Sequence, residues 1–178
     1  DDLRRIISAC KSTGKRFKTV PSLAELIDKD VSVAAIRDVS YLDLLGREEV
    51  KLDMNSIEEL LYGKRVLITG AGGSIGSELV QQCLAFGPSE IICMDYSEEK
   101  IFDIMAIVEM TKSNTIIKPV LGNINQKNQV EKVFNENRPQ IVFHAAAYKH
   151  VPIQEIHPWT AVRTNVGGTL GMLELADK

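Results

Sequence analysis

Residues 66–76 read Val-Leu-Ile-Thr-Gly-Ala-Gly-Gly-Ser-Ile-Gly. A short apolar run, typical of a buried strand, leads into a glycine cluster, and residues 74–86 continue with helical periodicity. Glycines at a strand-to-helix turn let the backbone approach a pyrophosphate, and the free amides of the helix N-terminus favour its negative charge. The stretch is not a P-loop, because no Lys-Ser or Lys-Thr follows Gly76. It predicts a dinucleotide-binding turn; the alternative is a tight turn that binds nothing.

Asp95 ends the predicted second strand, 19 residues after Gly76. A carboxylate at this place can accept hydrogen bonds from both hydroxyls of an adenosine ribose, and it repels a 2′-phosphate. No arginine follows it, and Glu98 and Glu99 add negative charge. We therefore expect NAD rather than NADP. The alternative role for Asp95 is to cap the helix that follows.

Strand-like and helical stretches alternate from residue 64 onward. The predicted strands are 66–69, 90–94, 115–121 and 140–144, and the predicted helices are 74–86, 97–111, 126–137 and 159–176. This alternation predicts an α/β, Rossmann-like, doubly wound parallel sheet with strand order 3-2-1-4, ending after the fourth strand and helix. In the first helix, Ile75, Leu79, Cys83 and Phe86 recur at helical spacing. Trp159 is expected to pack the start of the fourth helix onto the sheet.

The first 62 residues have thinly spread apolar positions, with short helices predicted at 3–11, 22–28 and 56–62 and strand-like stretches at 17–20 and 33–39. Ser22 followed by Glu25 is the pattern of a capping box. We predict that 1–62 is the end of an upstream domain plus a linker, and that 63–178 is the dinucleotide-binding domain.

Composition excludes several classes of protein. The chain has 178 residues, 44% hydrophobic and 25% charged, and a net charge of -3, which offers no broad basic face for nucleic acid. Cys10, Cys83 and Cys93 are too few and too scattered for a disulfide framework or a zinc site. No apolar run is long enough to span a membrane and no signal peptide is evident, so a cytoplasmic location is expected.

Three motifs, in order, resemble those of extended short-chain dehydrogenases. They are Thr-Gly-x-x-Gly-x-x-Gly at 69–76, His-Ala-Ala-Ala at 144–147 and Thr-Asn-Val-x-Gly-Thr at 164–169. A narrower resemblance covers residues 36–39, 43–47, 63–79 and 145–152, which are similar to bacterial polysaccharide-biosynthesis proteins of the capsular type. Those proteins are nucleotide-sugar 4,6-dehydratases that act on UDP-N-acetylglucosamine, and their long members carry transmembrane helices upstream. The resemblance therefore implies a longer parent protein, anchored by such helices in the inner membrane.

This resemblance implies an NAD site and its residues. They are Gly70, Gly73, Ser74, Ile75, Gly76, Asp95, Asn123, Ile124, Ala145, Ala146, Ala147 and Asn165. The family usually has Gly-Asp where this chain has Gly122-Asn123, but an asparagine can still accept from an adenine amino group. Asn165 is expected to fix the backbone near the active site; otherwise it is a polar residue on a solvated face.

The implied reaction takes hydride from sugar C4, removes water across C5 and C6, and returns hydride to C6. The family's acids and bases follow a fifth strand, so we expect this chain to be a fragment with no catalytic residues. Lys149 is expected to meet a sugar diphosphate or the cofactor, unless it is a solvated loop lysine. The expected partner is a UDP-N-acetylhexosamine, with homo-oligomers possible. Alternatives are a 4-epimerase, a 4-dehydrogenase/reductase, or a non-catalytic NAD-binding module.

The three histidines invite a metal or general-base interpretation. His144, His150 and His157 are not spaced as a helical i, i+4 pair, and no carboxylate or cysteine completes a ligand set. We therefore predict no metal site. His144 is expected to pack at the strand end beside the cofactor.

Overall fold

A computed structural model describes residues 5–6, 9–10, 12–14, 18–19, 37–38, 52–111 and 113–178. The chain divides into two units, Asp1–Leu52 and Asp53–Lys178. In the first unit, two short strands, Lys18–Thr19 and Arg37–Asp38, pair antiparallel. The predicted helix at 22–28, with its Ser22 cap, lies outside the described residues. The assignment of 1–62 to an upstream domain and linker stays a prediction.

The second unit alternates strands and helices. The strands are β1 (Arg65–Thr69), β2 (Glu90–Asp95), β3 (Ile116–Leu121) and β4 (Ile141–His144). The helices are α1 (Met54–Leu61), α2 (Ser74–Leu84), α3 (Glu98–Glu109), α4 (Lys127–Asn137), α5 (Val151–Ile156), α6 (Pro158–Ala161) and α7 (Thr169–Ala176), with a π-helical segment (Val162–Gly168) between α6 and α7. Among the described residues, no helix is long and apolar enough to cross a membrane.

The four strands form one parallel sheet in the order β3-β2-β1-β4, which confirms the predicted topology. Side chains of successive strand residues point to opposite faces, so each face of the sheet collects its own core. Val66 and Ile68 of β1 belong to the core that α1, α2 and α3 cover, whereas Leu67 belongs to the core that α4 and α7 cover. The sheet is therefore covered on both faces, as a doubly wound fold requires.

The β3 edge of the sheet carries features that discourage further strand pairing. Most of β3 is exposed, and it includes Pro119, which has no amide to donate. Lys118 forms an ion pair with the buried carboxylate of Glu90 on β2.

The region after β4 departs from the prediction of one helix over 159–176. A separate short helix, α5, comes first, and the fourth helix is interrupted by the seven-residue π-helical segment. Trp159 was wrongly predicted to pack onto the sheet, because its side chain is 81% exposed. Apolar periodicity identifies helical residues, but it does not show which apolar residues the sheet covers.

Helix α2 and the turn after it present Leu79, Cys83 and Phe86 of the apolar repeat read from the sequence to the core, but not Ile75. Ile75 is exposed, and the buried residues of the helix are Gly76, Val80, Cys83 and Leu84. The reason is the contact at Gly76, where a Cβ atom would overlap the carbonyl oxygen of Gly70. This close approach fixes the rotation of α2 about its own axis and leaves Ile75 outside.

Candidate cofactor-binding site

A cavity of about 420 Å³ opens at the carboxyl ends of the parallel strands. Doubly wound folds bind their ligands at this edge of the sheet, at the point where the strand order reverses. Many of the predicted cofactor residues line the cavity: Gly70, Gly73, Asp95, Asn123, Ile124, Ala145, Ala146 and Ala147. Met94, Tyr96, Lys100, Asn125, His150 and Thr164 also line it, and the sequence prediction did not include them. Thr164 and His150 lie in the stretches 164–169 and 145–152 that carry the family resemblance, which was their signal in the sequence.

The glycine loop needs its glycines for two physical reasons. Gly70 has a positive φ of 65°, and a Cβ there would lie 2.8 Å from the backbone of Ala146 in the loop after β4. The two loops therefore face each other too closely for any side chain at Gly70. Gly73 begins helix α2 as its N-cap, and no side chain caps the helix.

The uncapped start of α2 fits a bound anion. The first amides of a helix have no partner within the helix, and they attract a phosphate or another anion when no side chain caps them. Ser74 and Ile75, the first two residues of α2, lie here rather than in the cavity wall. The ammonium of Lys149 donates to the hydroxyl of Ser74 at 3.2 Å, which places a cation beside the same helix start. The glycine loop, which has no side chains to exclude a ligand, and the uncapped N-terminus of α2 fit the pyrophosphate of a dinucleotide.

Asp95 is buried, and it holds the glycine loop as well as its own strand end. Its Oδ2 accepts from the amide of Gly72 at 3.0 Å, and its Oδ1 accepts from the amide of Ser97 at 3.0 Å. The side chain that caps α3 is that of Ser97, which accepts from the amide of Lys100 at 3.4 Å. The capping role considered for Asp95 therefore belongs to Ser97. Each carboxylate oxygen has a second lone pair for a ligand hydroxyl.

Gly72 was missing from the predicted site, although it belongs to the glycine cluster. A Cβ at Gly72 would overlap the side chain of Lys100 on α3. Gly72 therefore lets the loop pass close to α3 and present its amide to Asp95. Its signal in the sequence was that Gly72 belongs to the glycine cluster at 70–76 and had no role assigned to it.

Tyr96 and Lys100 have the Tyr-x-x-x-Lys spacing typical of catalytic pairs in short-chain dehydrogenases, which the sequence prediction overlooked. Side chains four residues apart on one helix lie on the same face. Helix α3 begins at Glu98, after Tyr96, so the two residues line the same cavity but do not form an i, i+4 pair of one helix. The ammonium of Lys100 is instead 3.2 Å from the carboxylate of Asp103.

Three polar residues join the loop after β3 to the π-helical segment. Asn123 accepts from the amide of Asn125 at 2.9 Å, and Asn125 donates to the hydroxyl of Thr164 at 2.8 Å. All three side chains border the cavity. This network fixes the part of the cavity wall that contains Asn123. Asn123 is the residue that replaces the aspartate usual in the family.

Asn165 holds the loop after β4 through two hydrogen bonds. Its Oδ1 accepts from the amide of Tyr148 at 2.9 Å, and its Nδ2 donates to the carbonyl oxygen of Tyr148 at 2.8 Å. This geometry matches the interpretation that Asn165 fixes the backbone beside the site. Asn165 does not line the cavity, and its contact with the cofactor stays a prediction.

His144 ends β4 and is half-buried, and burial lowers its pKa. Its two ring nitrogens contact the hydroxyls of Thr69 and Thr169. The described part of the chain contains no group of three His, Cys, Asp or Glu side chains that could hold a metal ion.

Comparison with known proteins agrees with this arrangement. Residues 66–178 match the family described as polysaccharide biosynthesis protein. The chain belongs to that family. The chain is 38% identical, over 98% of its length, to the capsular polysaccharide biosynthesis protein CapD of Staphylococcus aureus. A UDP-N-acetylglucosamine 4,6-dehydratase (inverting) of Campylobacter jejuni is 29% identical over 65% of this chain.

One solved structure is similar to part of this chain. It is the UDP-glucose 4-epimerase of Thermus thermophilus in complex with NAD, with 30% identity and a TM-score of 0.50 over 62% of this chain and 33% of that one. This family member spans 29% of CapD and 33% of the Campylobacter dehydratase. The chain thus corresponds to about a third of the proteins that it resembles.

Proposed function

We propose that Asp53–Lys178 is the NAD-binding part of a nucleotide-sugar 4,6-dehydratase that acts on UDP-N-acetylglucosamine in surface polysaccharide biosynthesis. The observation that carries this proposal is the cavity in which the glycine loop, Asp95 and the loop after β4 meet. The similarity to CapD and to the Campylobacter dehydratase supports the reaction class.

Different residues of the site contact different parts of the proposed cofactor. Gly70 and Gly73 leave room for the pyrophosphate, and the start of α2 offers it free amides. Asp95 accepts from the adenosine ribose and repels a 2′-phosphate, and Asn123 accepts from the adenine amino group. Both residues line the cavity, which supports these roles. Lys100 also borders the cavity, but Asp103 partly offsets its charge, which keeps the preference for NAD. Bound NAD would supply a hydride acceptor for the sugar.

Lys149 is proposed to contact a diphosphate. Its ammonium already lies at the start of α2, 3.2 Å from the Ser74 hydroxyl. Both the cofactor and the sugar nucleotide carry such a group. Titration of NAD and of UDP into the wild-type chain and into Lys149→Met separates the two ligands, because only the affinity for the ligand that Lys149 contacts falls.

We further propose that the residues 1–178 do not complete the reaction. General acids and bases contribute about 10²–10⁴-fold each, and none is placed in the cavity in a recognised catalytic pair.

Two measurements test the proposed function. Calorimetric titration should show that the chain binds NAD more tightly than NADP; equal affinities would contradict the assigned role of Asp95. Incubation of the chain with NAD and UDP-N-acetylglucosamine should yield no 4-keto-6-deoxy sugar. Product formed at the rate of a full-length relative would place catalytic groups within 1–178.

A 4-epimerase remains the second candidate, because the fold is shared with a UDP-glucose 4-epimerase solved with NAD. Both reactions begin with oxidation at C4 and use the same cofactor site. The complete parent enzyme distinguishes them: a dehydratase releases a 4-keto-6-deoxy sugar, whereas an epimerase returns a sugar inverted at C4.

A further inference from the structure

A chain of hydrogen bonds links the ends of β1 and β4 to the loop that borders the cavity. The hydroxyl of Thr69, the last residue of β1, lies 2.7 Å from Nδ1 of His144. The other ring nitrogen, Nε2, lies 3.0 Å from the hydroxyl of Thr169, the first residue of α7. That hydroxyl donates to the carbonyl oxygen of Asn165 at 2.8 Å. His144 therefore connects the centre of the sheet to the residue that holds Tyr148.

The donors and acceptors of this chain fix the protonation of the ring. A threonine hydroxyl has one hydrogen, and that of Thr169 is donated to the carbonyl oxygen of Asn165. Thr169 must therefore accept from His144, which requires a proton on Nε2. In the neutral ring Nδ1 then carries a lone pair, and the hydroxyl of Thr69 donates to it. Each donor has an acceptor only when His144 is neutral and protonated on Nε2.

We propose that neutral, Nε2-protonated His144 is a positioning residue that sets the backbone of Tyr148 and Lys149 at the border of the cofactor cavity. It acts through Thr169 and Asn165, whose side-chain amide holds both the amide and the carbonyl oxygen of Tyr148. Lys149 follows directly and reaches Ser74 at the start of α2. The functional consequence rests on the proposed function, since it assumes that the cavity binds a dinucleotide.

The surroundings of His144 favour the neutral ring. Burial lowers the pKa of His144, and Thr69 has no exposed surface on which to find another acceptor. A second cavity, of about 700 Å³, is lined by His144 together with four charged residues of the neighbouring elements: Arg65 of β1, Glu131 of α4, Arg138 after α4, and Lys178 after α7.

The first test reads the tautomer directly. A nitrogen-15 correlation spectrum of the imidazole rings at neutral pH should show His144 with a protonated Nε2 and an unprotonated Nδ1. The exposed His150 and His157 provide comparison signals in the same molecule. A proton on Nδ1 would overturn the proposal. This measurement uses the wild-type chain and needs no ligand.

The second test interrupts the hydrogen-bond chain at Thr169. Thr169→Val removes the hydroxyl at nearly constant shape, and Thr169→Ser restores it. We expect the valine variant to shift the amide signals of Tyr148 and Lys149 and to weaken NAD binding about fivefold, the effect of one lost hydrogen bond. The serine variant should keep wild-type values. Unchanged Tyr148 signals in the valine variant would overturn the positioning role.

Different results would contradict the proposed NAD-binding function and the positioning role of His144. If the wild-type chain does not bind NAD, the proposed function fails, and the ring tautomer and the Tyr148 amide still decide the role of His144. If NAD binds and the valine variant binds it as tightly as the wild type, the cofactor site stands and the positioning role is overturned.

Discussion

The backbone amide of Gly72 donates to a carboxylate oxygen of Asp95 at 3.0 Å, across 23 residues of sequence. This bond ties the glycine loop after β1 to the end of β2, the two elements that the proposed function assigns to the pyrophosphate and to the adenosine ribose. The acid to which the proposed function assigns the choice of cofactor therefore also shapes the glycine loop. Changes at Asp95 are expected to affect binding and stability together.

Asp95→Ala should weaken NAD binding about tenfold or more and narrow the preference for NAD over NADP. It should also lower the free energy of unfolding by about 1–3 kcal/mol, because the amides of Gly72 and Ser97 lose their acceptor in a buried place. Titration calorimetry and urea unfolding measure the two effects. Glu98→Gln, an exposed change nearby, is the matched control. An unaltered NAD-to-NADP ratio in Asp95→Ala would contradict the prediction.

Gly76→Ala should destabilise the protein by about 2–3 kcal/mol, because its Cβ would overlap the carbonyl oxygen of Gly70 and push α2 from the sheet. Gly171→Ala is the matched control: nothing lies within 4 Å of a Cβ there, and alanine should stabilise α7 by about 0.5–1 kcal/mol. The midpoints of urea unfolding compare the two variants. Equal midpoints would mean that Gly76 does not set the position of α2.

Lys149→Met should weaken binding of a diphosphate ligand about tenfold, because the ammonium at the start of α2 is lost while the side-chain length is kept. Lys132→Met is the control, since Lys132 is an exposed helix residue far from the cavity lining. Titration in low and high salt adds a second readout: the difference between wild type and Lys149→Met should shrink in high salt. A difference that persists unchanged would argue against a charge interaction.

The protein should lose stability as the pH falls, and part of this loss should depend on His144. Its pKa in the folded state is lowered from the usual 6.5 by burial, so the unfolded state takes up a proton at higher pH than the folded state. The contribution is complete above pH 6.5 and is lost as the pH falls through the folded pKa. Urea unfolding at pH 7.5 and pH 5.5 should show a smaller loss for His144→Asn than for the wild type. Equal losses would contradict the prediction.

Cys83 and Cys93 should resist a thiol reagent in the folded protein. Burial raises the pKa of Cys83 to about 11, and burial, with a smaller contribution from Cys83, raises the pKa of Cys93 to about 12. Cys10, which is partly exposed, should therefore react first. Timed labelling at pH 8, followed by peptide mass spectrometry, measures the order. Fast labelling of Cys93 would indicate that the sheet opens readily.

The sequence predicted most of the second unit. Apolar runs of strand length, separated by amphipathic helices and closed by turn residues, depend on interactions within a few residues, so they can be read locally. Gly70 and Gly76 were identifiable because the sharp turn and the close approach of α2 exclude side chains there. The parallel order of the strands followed from the handedness of the crossovers.

The sequence predictions were wrong or incomplete where the structure depends on residues that are distant in the sequence. The exposed position of Trp159 depends on which helix face the sheet covers, and periodicity alone gives no absolute rotation. The π-helical segment was also not predicted. It carries Asn165 and Thr164, whose partners Tyr148 and Asn125 lie 17 and 39 residues away.

The sequence by itself determined the α/β alternation, the glycine turn and the acid at the end of β2, because backbone conformation and apolar patterning are local properties. Only the tertiary structure decided that Asp95 holds Gly72 and that His144 joins Thr69 to Thr169. Thr69 and His144 are 75 residues apart and meet because β1 and β4 pair in parallel and end at the same edge. Hydrogen bonds require atoms within about 3 Å, and such proximity between distant residues exists only after the strands pair.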